Sequence, residues 1–135
     1  MINEITTHRD TGNNLCCSDY TRDGVSLLVA GENRNVYVYD EKTLQIKAIM
    51  NDRHYKIPGH QNRIFSVKCH PDDVNIVASA GWDRSIKIYD IRDKAPICSI
   101  GGSEVSGDSL DIFDDMIVCG SHRNKDVMQV YSIHH

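Results

Sequence analysis

An eleven-residue pattern occurs twice in the chain, with the two copies fifty residues apart. Ala30–Asp40 has the sequence AGENRNVYVYD and Ala80–Asp90 has AGWDRSIKIYD, and five of the eleven positions are identical. A third, weaker copy, CGSHRNKDVMQVYS, covers Cys119–Ser132 and has three extra residues in its turn. A repeat of about 40 to 50 residues is typical of folds that stack one small structural unit on the next. The chain is therefore expected to contain about three similar units.

Short segments rich in Val, Ile and Tyr, separated by Gly, Asn, Asp and Pro, predict β-strands in each unit. These segments are VSLLVAG, NVYVYD, IFSVKC, NIVASAG, SIKIYD and MIVCGS. LQIKAI and PICSI predict a further strand in the first two units, whereas the third ends at YSIHH before such a strand can form. No window of twelve or more residues keeps a helical period, so the predicted fold class is all-β.

Composition excludes several classes of protein. The 135 residues are 40% hydrophobic and 25% charged, which is typical of a globular protein. Fifteen basic against nineteen acidic residues disfavour nucleic-acid binding. The N-terminus does not resemble a secretory signal, and the longest apolar stretch, Leu27–Ala30, is too short to span a membrane. Five cysteines without a Cys-x-x-Cys pair predict reduced thiols, and hence a cytoplasmic and/or nuclear protein.

The second unit resembles a repeat of the WD-repeat family of β-propellers. The signature of that family is Gly-His, a core segment, and then Trp-Asp. Here Gly59-His60 opens the unit and Tyr89-Asp90 closes it, with Tyr89 lying 29 residues after His60. The first unit matches less closely, since Asn33 stands where the second has Asp83. In the third unit Ser103 follows Gly102 where histidine would be expected.

The resemblance implies a partial β-propeller of about two complete four-stranded blades plus an incomplete third. The expected blades are approximately residues 15–50, 59–101 and 108–133. Residues 1–14 would form an N-terminal segment, disordered or in a loop, and 134–135 a tail. Because propellers have about four to eight blades, three alternatives stay open. The chain is a fragment of a larger ring, a degenerate or truncated propeller without independent function, or a protein that completes its ring by oligomerising or by docking on another protein.

Four residues match positions that form a structural hydrogen-bond chain in this family. There the turn aspartate accepts a hydrogen bond from the Gly-His histidine, which contacts a strand serine, which meets the closing aromatic residue. The residues at these positions are His60, Ser79, Asp83 and Tyr89. The first three are also the residue types of a hydrolase triad. The structural interpretation is favoured, because no other feature of an active site is visible. Neither a cofactor motif nor a metal-ligand spacing is present, and the loop histidines His8, His54 and His122 are expected to be solvated.

The sequence therefore predicts a non-catalytic protein-protein interaction scaffold, with other proteins as its partners and no small-molecule substrate or membrane. The candidate contact residues on one face are Arg63, Trp82 and Arg84, since Trp and Arg contribute much of the binding energy at interfaces. The alternative is that Trp82 packs on a neighbouring blade and Arg84 is solvated.

Arg92 is a candidate contact residue on the opposite face. Val77–Arg92 resembles a sixteen-residue box of WD-repeat substrate receptors of cullin-type ubiquitin ligases. In those proteins the arginine after the aspartate contacts the adaptor protein of the ligase, and a guanidinium suits such a contact because it presents a fork of donors. Lys42 stands at this position in the first unit. A substrate-receptor role is the more specific version of the predicted function.

Overall fold

The computed structural model describes residues 12–51 and 56–133, and the regular elements within them are β-strands. The strands are β1 (Leu15–Tyr20), β2 (Ser26–Gly31), β3 (Val36–Asp40), β4 (Ile46–Met50), β5 (Ile64–Cys69), β6 (Ile76–Gly81), β7 (Ser85–Asp90), β8 (Ala95–Gly101), β9 (Leu110–Phe113), β10 (Met116–Gly120) and β11 (Met128–Ser132). The expectations for residues 1–11, for His54 and for the tail 134–135 fall outside the described residues. No described helix is long and apolar enough to cross a membrane.

The strands form three antiparallel sheets in which neighbours in sequence are neighbours in space. Sheet 1 has the order β1-β2-β3-β4, sheet 2 the order β5-β6-β7-β8, and sheet 3 the order β9-β10-β11. The prediction of two four-stranded units and an incomplete third is confirmed. Strands β1 and β9 were not among the segments singled out from the sequence, and β11 was included only as part of the third copy of the repeat. The first, LCCSDY, alternates between exposed and half-buried positions, and the second has four residues, one of them an aspartate.

The core lies between the sheets rather than within one of them. Side chains along a strand alternate between the two faces of its sheet. In sheet 2, Val77 and Tyr89 face sheet 1, where they pack with Leu28 and Val38. The intervening residues of β6 and β7 face sheet 3 and form a second apolar cluster with residues such as Ile117. Sheet 2 is therefore buried on both faces, which explains why β7 has five consecutive buried residues.

The glycine shared by the first two copies of the repeat is required by a close approach of two strands. A Cβ atom on Gly31 would lie 2.0 Å from the carbonyl oxygen of Asn14, and one on Gly81 would lie 2.2 Å from that of Arg63. The pairing of β1 with β2, and that of β5 with β6, each shifts in register next to this point. No side chain fits at this position. The repeated glycine is therefore explained by a backbone contact that is the same in both sheets.

The turns of sheets 1 and 2 repeat each other in backbone conformation. Arg34 in the β2–β3 turn and Arg84 in the β6–β7 turn have φ values of 69° and 60°. Leu44 and Lys94, in the turns at the other ends of β3 and β7, have values of 54° and 59°. These left-handed conformations are uncommon for residues with a side chain. We name the end of the sheets with the β2–β3 and β6–β7 turns the upper face, and the end with the β3–β4 and β7–β8 turns the lower face.

Candidate protein-interaction site

His60 joins the loop before β5 to the β6–β7 turn through two short hydrogen bonds. Its Nδ1 atom lies 2.8 Å from Oδ2 of Asp83, and its Nε2 atom lies 2.7 Å from Oγ of Ser79. Asp83 also accepts hydrogen bonds from the backbone N–H groups of Gln61 and Ser85, at 2.9 and 3.2 Å. Nδ1 carries a proton when it donates to Asp83, and Nε2 meets the hydroxyl group of Ser79. The contacts fix the loop, the strand and the turn to one another.

Asp83 is an ionised carboxylate with a strongly shifted pKa. Burial by itself raises the pKa of Asp83, but the hydrogen bond and positive charge of His60, together with the donors of Gln61 and Ser85, outweigh it and lower the pKa to about 2. The side chain is 6% exposed. The turn therefore keeps its negative charge over almost the whole pH range in which the protein can be studied.

The three side chains have the spacing of a hydrolase triad, but the hydroxyl group is enclosed. Ser79 has no exposed surface and His60 is 4% exposed. Ser79 is not among the residues that line the cavity next to His60. A substrate carbonyl must come within about 3 Å of a nucleophile, and here it could do so only if sheets 1 and 2 separated. The burial favours a structural role for the three residues.

Tyr89, the fourth residue of the expected chain, lies on the same face of sheet 2 as Ser79. It is fully buried and belongs to the apolar cluster between sheets 1 and 2. In the strand register it stands opposite Val77, whereas Lys87 stands opposite Ser79. The Lys87 ammonium donates a hydrogen bond to Oγ of Ser99 at 2.8 Å. The Tyr89 ring therefore contributes to the packing between sheets 1 and 2.

Sheet 3 contains a second buried polar cluster at the equivalent position. Ser103 donates a hydrogen bond to Oε1 of Gln129 at 2.6 Å, and its oxygen lies 3.1 Å from both the Tyr131 hydroxyl and the Cys119 thiol. Ser103 follows Gly102 as His60 follows Gly59, and Cys119 faces sheet 2 as Ser79 faces sheet 1. The Gly-Ser pair in the sequence indicates the position of Ser103 but not its partners, because the extra residues in the β10–β11 turn hide the alignment of Gln129 with Lys87.

The upper face carries Trp82 in a supported, half-exposed position. The indole is 45% exposed, and its ring centroid lies 5.1 Å from that of Phe65. The guanidinium carbon of Arg63 lies 5.4 Å from the Trp82 ring centroid, a cation–π contact. Arg63 also forms a salt bridge of 3.2 Å with Glu32 in the β2–β3 turn of sheet 1. The structure therefore brings Arg63 and Trp82 together and ties them to the neighbouring sheet.

Arg84 lies in the same turn as Trp82 but reaches towards sheet 3. Its Nε atom is 3.5 Å from a carboxylate oxygen of Glu104, and its side chain is 70% exposed. Such an exposed pair contributes little to stability. It does place the guanidinium at the surface between sheets 2 and 3.

Arg92 lies on the lower face, at the opposite end of β7 from Arg84. Its guanidinium forms a two-pronged contact with Asp90, from Nε to Oδ1 at 2.8 Å and from one terminal nitrogen to Oδ2 at 2.5 Å. The Arg92 side chain is nevertheless 67% exposed. Its hydrogen bonds lower the pKa of Asp90, and the carboxylate raises the pKa of Arg92 further above its usual range. Asp90 thus holds the Arg92 side chain in one orientation, and no spacing in the sequence predicts this contact.

No group of three or more His, Cys, Asp or Glu side chains within residues 12–51 and 56–133 is placed to hold a metal ion. His122, the loop histidine that falls in this part of the chain, is exposed and its backbone N–H donates to the carbonyl oxygen of Glu104.

Comparison with known proteins agrees with this architecture. Residues 51–90 match the family model "WD domain, G-beta repeat". The Cps50 (Swd1) β-propeller domain of Myceliophteria thermophila superimposes on 98% of this chain with a TM-score of 0.79 and 16% sequence identity. The fold is a partial WD-repeat β-propeller. Sheets 1, 2 and 3 are its blades, and the matched segment of sequence ends at Asp90, the last residue of β7 in the second blade.

Two curated relatives extend the similarity over nearly the whole chain. The transcriptional corepressor LEUNIG_HOMOLOG of Arabidopsis thaliana is 24% identical over 129 residues, which is 93% of this chain. The E3 ubiquitin-protein ligase COP1 of the same plant is 25% identical over 124 residues, or 90% of this chain. The chain spans 15% and 17% of the lengths of these relatives and 39% of the Cps50 chain.

Proposed function

We propose that the chain is a non-catalytic scaffold for protein-protein interaction and that its upper face binds the partner through Trp82. The observation that carries this proposal is the support of the half-exposed indole by Phe65 on one side and Arg63 on the other. A side chain that is already fixed loses little entropy on binding. Aromatic and arginine side chains are also the types that dominate the binding energy of interfaces.

Replacing the indole tests this proposal. Tagged wild-type chain and Trp82→Ala are used to capture proteins from a cell lysate, and the captured proteins are quantified by mass spectrometry. We expect a set of proteins to be lost with Trp82→Ala and kept with the control Tyr20→Ala, which removes a 53% exposed aromatic side chain from the opposite end of the first blade. Equal capture by the wild type and both variants would contradict a role for Trp82.

A receptor role in cullin-type ubiquitin ligation is the second, more specific proposal. It is supported by the position of Arg92 on the lower face and by the similarity to a protein named as an E3 ubiquitin ligase. A guanidinium has five N–H donors, and the Asp90 carboxylate takes two of them. The remaining donors are held in one orientation by Asp90 and are free to meet a carboxylate or carbonyl group of an adaptor protein.

Lys42 supplies a matched control for this second proposal. It occupies the turn of the first blade that corresponds to the turn of Arg92, with Asp40 accepting from its backbone N–H as Asp90 accepts from that of Arg92. Arg92→Ala is expected to abolish pull-down of the ligase adaptor, whereas Lys42→Ala is expected to retain it. Retention of the adaptor by Arg92→Ala would end the receptor proposal and leave the scaffold proposal untouched.

We further propose a nuclear and/or cytoplasmic location, which is supported by similarity to a protein named as a transcriptional corepressor. Fluorescence microscopy of the tagged chain tests this. The remaining alternative, a degenerate propeller without independent function, predicts that the isolated chain is insoluble and captures no protein.

A further inference from the structure

The upper face repeats one arginine at each junction between blades. Arg34 and Arg84 occupy the same position of the β2–β3 and β6–β7 turns, and both have left-handed backbone conformations. Each follows a residue that accepts a backbone hydrogen bond two positions on, Asn33 in the first blade and Asp83 in the second. The two guanidinium groups therefore start from equivalent points and point towards equivalent junctions.

The residue at the position of Glu104 differs between the second and third blades. Arg84 pairs with Glu104, the residue that follows Ser103 at the start of the third blade. The corresponding residue of the second blade is Gln61, which follows His60. Glutamine has nearly the shape of glutamate but carries no charge. Within the described residues the Arg34 side chain has no ion pair and no hydrogen bond, and it is exposed.

A polar cavity of about 200 Å³ lies at the junction where the carboxylate is missing. The side chains around it are amides, one guanidinium and one imidazole: Asn33, Arg34, Asn35, Asn51, His60 and Gln61, with Gly59. Arg34 is the lining residue with a permanent charge, and the Asn35 carboxamide beside it has no hydrogen bond to the described residues. The Asn35 amide thus presents N–H donors beside the Arg34 charge, and donors next to a positive charge suit an anion with two acceptor oxygens.

We propose that this cavity receives the carboxylate of an aspartate or glutamate side chain of a protein partner. This inference rests on the proposed function, because the cavity and Trp82 belong to one surface. Gln61 lines the cavity, and Arg63, two residues further on, contacts both the Trp82 ring and Glu32. The partner segment thus carries an acidic residue for Arg34 and an apolar residue for Trp82. At the next junction Glu104 already supplies the carboxylate from within the chain.

The exchange of the glutamine and the glutamate tests the proposal. A library of phage-displayed random octapeptides is selected against the immobilised full chain. We expect the peptides selected by the wild type to be enriched in Asp and Glu. The peptides should bind Gln61→Glu at least about tenfold more weakly, because the new carboxylate pairs with Arg34 and closes the site.

Two further variants separate the charge of Arg34 from changes in folding. Arg34→Gln removes the charge while keeping a long polar side chain, and should lose the acidic preference with an unchanged circular dichroism spectrum. Glu104→Gln frees Arg84 instead, so it should keep the acidic preference and can add a second site. An acidic preference that survives both Arg34→Gln and Gln61→Glu would overturn the proposal, as would selected peptides that lack acidic residues.

The two proposals fail in different ways. If the selected peptides carry no acidic residue but still depend on Trp82, the upper face binds proteins and the carboxylate site is wrong. If binding of acidic peptides depends on Arg34 but not on Trp82, the carboxylate site stands and the role given to Trp82 is wrong.

Discussion

In the second blade a buried strand serine, Ser79, is held by the imidazole of His60, whereas in the third blade the equivalent Cys119 is held by the hydroxyl group of Ser103. The first cluster contains an ionised carboxylate, Asp83. The second contains none, since its other members are Gln129 and Tyr131. Both clusters satisfy polar groups that would otherwise be buried alone. A polar cluster therefore forms at the same position in both blades. The types of residue in the cluster determine whether its stability depends on pH.

The two clusters also differ in how strongly they are enclosed. The second blade is covered on both faces by its neighbours, and its closing residue Tyr89 has no exposed surface. The third blade is covered on one face, and its other face exposes large apolar side chains: Phe113, Met116, Val118, Met128 and Val130. Energetic effects should therefore be larger in the second blade than in the third for the same substitution.

The largest difference is expected for the two closing tyrosines. Tyr89→Ala should destabilise the protein by about 4 kcal/mol, because it leaves a cavity between two packed sheets. Tyr131→Ala should cost less than half as much, since that ring is half-exposed. Urea unfolding followed by circular dichroism measures both, and a Tyr89→Ala chain that is unfolded in buffer agrees with the expectation. Equal losses would mean that enclosure does not distinguish the blades.

A loss of about 3 kcal/mol is expected for His60→Ala, because it leaves the enclosed carboxylate of Asp83 without its main partner. In His60→Ala, amide hydrogen exchange should become faster than in the wild type in β5 and β6, and should change less in β9 and β10. The double variant His60→Ala/Asp83→Asn is expected to recover part of the loss, since no unpaired charge then remains. If the double variant is no more stable than His60→Ala, the unpaired charge is not the cause.

A smaller effect is expected from acid, and of the two clusters that of the second blade is the one that should show it. The pKa of Asp83 is about 2 in the folded protein and 3.8 as a free side chain. Because the folded value is the lower one, the contribution to stability is fully present above about pH 4 and is lost as the pH falls towards 2. At most about 2 kcal/mol is involved. Unfolding free energies measured at pH 5, 4 and 3 should fall more steeply for the wild type than for Asp83→Asn, and parallel curves would refute the assignment.

The repeat and its strand segments were enough to predict the blades, and the Gly-His and Tyr-Asp positions led to the expectation that His60, Ser79 and Asp83 lie together. These contacts join positions whose spacing along the chain is set by the intervening strands and turns. A pattern of residues in the sequence can therefore predict such contacts. Other contacts depend on a side-chain rotamer or on pairing across blades. The bond from Arg92 to Asp90 is of the first kind, and the salt bridge from Arg84 to Glu104 is of the second. No spacing in the sequence distinguishes an arginine that pairs within its own turn from one that points into solvent.

The smallest effect is expected for Ser103→Ala in the third blade. The Ser103 hydroxyl uses its one donor on Gln129 and accepts from Cys119 and Tyr131, and the alanine variant leaves these neighbours to rearrange or to reach water. We expect a loss of about 1 kcal/mol, measured by urea unfolding, with no change in slope against pH because no carboxylate belongs to this cluster. Ser103→His provides the complementary test. If the third blade accepts an imidazole at this position, Ser103→His should retain the wild-type fold. A loss of unfolding free energy larger than that of Ser103→Ala would show that the third blade has too little space for the ring that the second blade encloses.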